Sequence, residues 1–373
     1  MTDQTREGQR TSSSCETLAV DDEVDCRDWD ELVDSCPRGT LFSRSSWLDA
    51  VRDAAGCTIR VLCVRKGPLL VAGAAFVEKA RGPIRVAGSL PFTAYGGVMS
   101  RPFDGQEAPG TAETADDVLA TLTKGLLRRY LRVELVHSPP WADSRPFLRT
   151  GWTVVPRYTY RVRLADRDAI WQGFESRTRT SIRAVQSLGF ELRIGRELAS
   201  FWPLFEQVYQ RQGLHVPCSE TFVRTVFDRL QERGSAVVAS LETSSGRAAA
   251  AVILLTHRRE LSAWLIGAEH KKDASGLQAL LLWRVMERFA DRYDSLDFLG
   301  CNLPRQALFK RGFGGSLVPY PLTRIRRPGL AGGLMDAVSR LRGQGAGFRT
   351  ASRHPSLRAP GPPGTPEHLP ARE

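Results

Sequence analysis

The sequence predicts an α/β protein of two similar halves, each carrying a mixed sheet, with a cleft between them. Three observations carry that expectation. The later part of the chain runs helix, helix, three strands in quick order, loop, helix, strand. The earlier part repeats a degraded version of it: strands, a helix, then a strand. A length of 373 residues is comfortable for two domains.

The elements follow in order. Residues 1–22 are polar, rich in Ser, Thr and Gln, and read as a disordered N-terminus. The first half spans 23–157. Residues 28–36 and 45–54 read as helices, and 58–64 and 69–77 as strands joined at Lys66-Gly67. A strand at 83–86 and the segment 90–98 come next, and a helix over about 113–130 leads into a strand at 133–137.

The second half spans 158–326. A strand at 158–164 precedes helices over 168–188, 199–212 and 219–233, then strands at 236–241, 247–256 and 260–269. The loop 270–276 opens a helix over 277–290 that is apolar almost all round, with Leu277, Leu280, Leu281, Trp283, Val285 and Phe289. Such a helix is buried. A strand at 295–299 follows. Residues 327–373 form a tail rich in Pro, Gly and Arg. Within it Leu330, Leu334, Val338 and Leu341 recur at helical spacing beside Arg340 and Arg342, a short basic amphipathic helix that either caps the domain, forms only in part, or rests on anionic lipid.

Composition narrows the function classes. With 42% hydrophobic and 25% charged residues the chain can bury a core. A net charge of +11 favours anionic partners: nucleotides, tRNA, phosphate-linked substrates or an acidic membrane face. The seven cysteines form no CxxC pair and stand near no histidine cluster, which argues against a metal site. Their odd number fits reduced thiols, and Met1 to Asp22 lacks the apolar run of a signal peptide. The expectation is a cytoplasmic protein with a peripheral contact at the inner membrane face. The longest apolar run, Ala248 to Leu255, is too short to span a bilayer and reads as a buried strand.

One stretch stands out. Asp297-Phe298-Leu299-Gly300-Cys301-Asn302 reads as a strand ending at a glycine, and Phe309-Lys310-Arg311-Gly312-Phe313-Gly314-Gly315 follows closely. A lysine framed by phenylalanines beside paired glycines suits a cation that must meet a negative charge in a cleft. Packing of its stem along the rings is the structural alternative. Asp297, flanked by Leu296 and Phe298, is either a general base or a buried carboxylate bonded to backbone amides. Glu269 and His270, at the mouth of the preceding strand, are alternative bases. Arg179 and Arg183, four apart on one helix face, can clamp a phosphate. His137-Ser138 and Cys218 have no partner at the spacing that nucleophilic catalysis needs.

The loop His270-Lys271-Lys272-Asp273-Ala274-Ser275-Gly276 lies between a strand and a helix N-terminus. Unpaired N–H groups and the helix dipole favour an anion there. Tyr95-Gly96-Gly97 reads as a cleft wall, because paired glycines let backbone approach a ligand closely.

On these residues the second half resembles the GNAT acetyltransferase superfamily. The whole resembles its FemAB-like branch, in which two such domains stand in tandem. The likeness is carried by Gly39-Thr40-Leu41-Phe42-Ser43 with Trp47-Leu48, Ser89-Leu90-Pro91-Phe92 through Val98, Arg177, Arg179 and Arg183 ahead of Gly189-Phe190, Asp297-Phe298 with Gly300, and Phe309-Lys310 with Phe313-Gly314-Gly315. It covers about residues 24–325.

The resemblance implies acyl transfer to an amino group of a small molecule or a cell-envelope or polysaccharide precursor. No cofactor is held permanently; acyl-CoA, or aminoacyl-tRNA, is the co-substrate. Phe309, Lys310 and Asp297 would be catalytic. Lys271, Lys272, Ser275, Gly276, Arg179 and Arg183 would hold donor phosphates, and Tyr95, Gly96, Gly97, Trp264 and Glu269 would line the substrate cleft. The usual acyl-CoA signature, Q/R-x-x-G-x-G/A, keeps only Gly276. No long heptad segment supplies the helical arm associated with tRNA-using members, so acyl-CoA is the preferred donor. A non-catalytic basic module binding RNA or membrane is the reading from another class.

Overall fold

The computed structural model describes residues 18–101, 115–139, 141, 143–269 and 276–329. The first half holds β1 (Leu18–Asp21), α1 (Cys26–Ser35), α2 (Ser45–Ala55), β2 (Thr58–Lys66), β3 (Leu69–Arg81), β4 (Ile84–Gly88), β5 (Gly97–Ser100), α3 (Ala115–Arg129), β6 (Arg132–Val136) and α4 (Arg145–Arg149). Local chemistry explains much of it. Asp25 caps α1 by accepting the Arg27 N–H at 2.7 Å. Trp29, Leu32 and Val33 then turn one face of that helix inward. β1 forms within a stretch that the sequence predicted to be disordered, because its backbone adds an edge to β2 from Leu18↔Lys66 to Asp21↔Cys63.

The second half holds β7 (Thr153–Arg163), α5 (Arg167–Gly173), α6 (Ser176–Gln186), β8 (Glu191–Gly195), α7 (Phe201–Gln210), α8 (Glu220–Glu232), β9 (Ala236–Glu242), β10 (Ala248–His257), β11 (Glu260–Ala268), α9 (Leu277–Phe289), β12 (Ser295–Asp297), α10 (Pro304–Arg311) and β13 (Ser316–Arg326). The single helix predicted over 168–188 is two helices. Phe174 breaks it with an extended backbone (φ −69°, ψ 143°), and its ring packs against Trp283 and Phe313. A boundary between halves at 157/158 falls inside β7.

Two sheets were expected, and one continuous sheet is found. Its order is β1-β2-β3-β4-β6-β13-β7-β12-β11-β10-β9-β8, with β5 added to β3. At the centre β13, the last strand of the second half, crosses over: it lies between β6 of the first half, paired from Leu322↔Val136 to Arg326↔Arg132, and β7, which pairs on its other side with β12. β7 and β13 pair with each other along nearly their whole length. The sheet is antiparallel except at two places, β4 with β6 and β11 with β12.

Three cores hold the layers. One packs α3 on the first half's strands, with Leu122, Leu126 and Phe76 buried. Another packs α9 on the second half's strands, with Leu281, Val285 and Met286 buried. The third is shared: Trp29 and Trp47 of α1 and α2 meet Phe201, Phe205 and Phe227 of α7 and α8. Each such side chain contributes about 1.5–3 kcal/mol on burial, so the halves are joined by a solid core on this side of the sheet.

Candidate active site

The site begins where the second parallel pair opens. β11 and β12 share only Glu260↔Ser295, Leu261↔Leu296 and Ser262↔Asp297. Beyond Asp297 the partners separate: β11 continues from Ala263 to Ala268, while the other chain turns away through Phe298, Leu299 and Gly300. Leu299 and Gly300 both have positive φ, 54° and 86°. Leucine pays strain in that region, so the turn needs support from outside.

The support is a set of side chains on all sides. Asp297 accepts the Leu299 N–H at 2.7 Å, and Thr159 Oγ1 accepts the Gly300 N–H at 3.0 Å. Lys310, on α10, donates from Nζ to Phe298 O at 2.7 Å and also to Gly300 O. Phe309 and Phe298 pack edge-on or tilted against the buried Phe313 ring, which fixes α10 over the turn. Gly314 lies where a Cβ would come within 2.0 Å of Gly173 O, docking the glycine-rich turn onto the end of α5. Burial pulls Lys310 down to about 8, against Asp297 and Cys301, which favour its charge.

Asp297 is 0% exposed and is fully engaged. It accepts from Tyr95 Oη at 3.0 Å, Thr159 Oγ1 at 2.7 Å and Arg161 Nε at 2.8 Å in addition to Leu299. A carboxylate so committed is a positioning group rather than an accessible base. Arg161 Nη2 lies 2.9 Å from Glu260 Oε1, off the hydrogen-bonding direction. Burial works against the Arg161 charge, but Asp297 and Glu260 together hold its pKa above the usual arginine value. Burial pushes Glu260 up to about 7, outweighing the pull of Arg161. Desolvation dominates at Glu260 and attraction at Arg161, as expected of a carboxylate that no hydrogen bond secures.

Several residues of this network went unread in the sequence. Thr159 and Arg161 stand two apart on β7 and so share a face. A threonine and an arginine on one strand face, beside Val162 and Leu164, were the available signal. Glu260, Asn302 and Tyr320 offered none, because their roles depend on partners distant in sequence. Asn302 donates to Tyr320 Oη and accepts the Tyr158 N–H, both at 3.0 Å.

The expected cleft residues of the first half lie elsewhere. Tyr95 is buried, stacked edge-on against Phe42 and Tyr320, with its hydroxyl on Asp297. Gly96 bridges to His137 beside β6. Gly97 has φ 77°, and a Cβ there would sit 2.4 Å from His137 Nδ1. Gly97 thus makes room for a buried imidazole. Trp264 belongs to the shared core: it donates to Phe92 O at 3.0 Å and packs edge-on against Trp47. Glu269 is paired with Arg247 at 2.7 Å.

The expected phosphate residues divide. Lys271, Lys272, Ser275 and the alternative base His270 lie outside the described residues, as does the amphipathic segment 330–342. Gly276 is the N-cap of α9, and a Cβ there would come within 2.1 Å of Ser181 O on α6. This glycine brings the α9 N-terminus against the basic helix. Arg179 and Arg183 do not converge on one point. Arg179 donates to Gln172 O and Phe174 O and so caps α5, while Arg183 lies over the Trp171 ring at 5.6 Å. Among the described residues no cluster of three His, Cys, Asp or Glu side chains can hold a metal ion. No helix among them is long and apolar enough to cross a membrane.

Residues 173–311, from the end of α5 to the end of α10, match the family model of the acetyltransferase (GNAT) domain. Most of the second half is therefore similar to a GNAT-type acetyltransferase domain. The rest of the chain follows the same plan. The crystal structure of FemX superposes with a TM-score of 0.65 at 12% identity, covering 88% of this chain and 100% of that one. L-PGS from Bacillus licheniformis gives 0.52 at 14% identity, covering 87% and 98%. A tandem GNAT protein from the clavulanic acid biosynthesis pathway gives 0.51 at 12% identity, covering 84% and 99%. At these identities the likeness establishes the fold, a tandem GNAT arrangement of the FemAB-like kind. No curated protein matches the sequence. A GNAT domain containing Asp297, Lys310 and the opened strand pair speaks for an N-acyltransferase over a non-catalytic binding module.

Proposed function

We propose that this protein transfers an acyl group from acyl-CoA to an amino group of a small-molecule or cell-envelope precursor, with the donor entering where β11 and β12 part. The observation that carries this reading is that parting itself. After three paired residues the strands diverge, and the next element after β11 is α9, whose N-terminus abuts the basic helix α6. A donor's acyl arm can lie between the strands, and its phosphates can face the α9 N-terminus with Gly276 and Arg183 beside them. Lys271, Lys272 and Ser275 would add charge and donors there.

The chemistry follows from Lys310. An ammonium has three N–H donors, and two are used on Phe298 O and Gly300 O. The third is left for the oxyanion that forms when a neutral amine attacks the thioester carbonyl. The new C–N bond forms, the C–S bond breaks, and the proton lost by the amine balances the thiolate released. A cation held this way costs no reorganisation during reaction and is worth about 10²-fold or more in rate. Asp297, through Leu299, keeps the turn in place and acts as a positioning residue.

An aminoacyl-tRNA donor is the second reading. It draws on the net charge of +11 and on the missing glycines of the usual acyl-CoA signature. Mass spectrometry of ligands retained on the purified protein, with thiol release measured across several acyl-CoAs and amines, separates the two. Retained CoA and amine-dependent thiol release support the first. Binding of charged tRNA without any CoA binding overturns it.

A further inference from the structure

A cavity in the first half has no part in the acyl-transfer reading. It measures about 460 Å³, within the range of small-molecule sites, and opens between α3, α4 and β5. Much of its wall is apolar, with Val98, Leu119, Leu122, Trp141 and Phe147, and three charged residues, Arg38 from the loop after α1, Arg101 and Asp143, also line it.

The charges around this cavity are unequal in their commitments. Arg101 donates to Leu70 O and pairs with Glu31 at 2.7 Å. Asp143 pairs with Arg145 at 2.8 Å. Arg38 differs. Its guanidinium carbon lies over the Trp141 ring, 4.1 Å from the centroid, and the group gives one long bond of 3.3 Å to Ser100 Oγ. Its Nε is buried and has no hydrogen-bond partner among the described residues. Burial lowers the Arg38 pKa from its usual value, the signature of a cation removed from water without a counter-ion. A planar fork over an indole, at the wall of a largely apolar cavity, matches a carboxylate attached to a flat or alkyl body. A polyphosphate fits poorly, because the first turn of α3 at the cavity's rim carries Asp116 and Asp117.

We propose that this cavity is a second binding site, separate from the acyl-transfer site, and that it takes a small amphipathic monocarboxylate whose head pairs with Arg38 and whose apolar body lies along Leu119, Leu122 and Phe147. Isothermal titration of the whole protein with 3-phenylpropionate and indole-3-propionate, against the corresponding amides, tests it. The acids bind about tenfold or more tightly than the amides, as a charge-assisted bidentate pair requires. Arg38→Gln removes that difference. Leu119→Trp, which fills the cavity without touching Arg38, abolishes binding of acid and amide alike. Circular dichroism confirms that each variant is folded, and the acid–amide comparison on the unaltered protein stands if Arg38→Gln fails to fold. Equal binding of acids and amides, no binding of the acids in the millimolar range, or displacement of a bound acid by coenzyme A each overturns the proposal.

Discussion

The two halves of this protein use the same strand pair and treat it in opposite ways. In the first half β4 and β6 share Val86↔Arg132 to Gly88↔Glu134, as β11 and β12 share their three pairs. After Gly88 the chain returns as β5, which takes over the same side of β3 from Ala72 to Ala75, and Gly96 bridges to His137. The gap is filled with protein. Burial pulls His137 down to about 3, and it stays neutral, accepting the Val98 N–H at 3.3 Å and meeting Thr323 Oγ1 at 2.8 Å. In the second half no strand among the described residues fills the gap, and a lysine near its ionisation threshold stands at the edge. The difference teaches that a splayed strand pair is a frame. It becomes a site only where the backbone is left open and a charge is held beside it.

Four experiments press on that comparison. The largest effect belongs to Asp297→Ala. It strands Arg161 and releases Tyr95 and Leu299, and the loss of one partner from a buried ion pair costs about 3–5 kcal/mol. Urea unfolding measures it, and a loss under 1 kcal/mol would show that the halves are not tied at this residue.

Lys310→Ala is expected to lower kcat/KM by roughly 10²-fold, with the donor KM less affected. The pH profile carries a further sign. The folded pKa of about 8 lies below the ordinary 10.5, so the folded state releases this proton first. Stability therefore rises with pH between those values, while activity, which needs the cation, falls above about pH 8. An alkaline limb that survives in the variant would assign it to another group.

The third test sets one glycine of each half against the other. Gly97→Ala and Gly276→Ala each force a Cβ into a neighbour, at a cost on the order of 1–3 kcal/mol. Gly97 meets His137 in the sealed half, whereas Gly276 meets Ser181 beside the proposed donor phosphates. Only Gly276→Ala should raise the donor KM. Equal KM changes in both variants would break the comparison.

The smallest effect is a slope. The folded pKa of Glu260, about 7, lies above its ordinary 4.5. The stability linked to its proton is present below pH 4.5 and lost as pH rises through about 7. Glu260→Gln should flatten that segment of the stability profile, read from thermal unfolding at a series of pH values.

Much of the frame was legible before any coordinates. The apolar run at 277–290 is α9, the strands at 236–241 and 247–256 are β9 and β10, and the Lys66-Gly67 turn joins β2 to β3. Each is a local pattern, and local patterns survive without knowledge of neighbours. The edge strands β1 and β8 were missed because they are short, and their alternation leaves only half-buried or exposed faces. The site was legible in part. Lys310 and Asp297 were singled out from the residues around them, yet their partners were not. Arg179 and Arg183 looked like a clamp on a helical wheel and proved to face separate partners, since spacing says which side chains share a face and not what meets that face.

The sequence by itself determined the α/β class and most of the helices and strands in their order, but not β1, α4, β8, α10 or β13. It also put an aspartate in one strand and a lysine framed by phenylalanines shortly after it. These follow from periodicity, caps and turn residues, which act over a few residues. The tertiary structure decided what those two residues touch. It laid β13 of the second half against β6 of the first, and it brought Tyr95 onto Asp297 across 202 residues of chain. Among the described residues it filled one strand gap and placed no strand in the other. Such contacts arise from packing between distant segments, where burial and charge pairing outweigh anything a local pattern can encode.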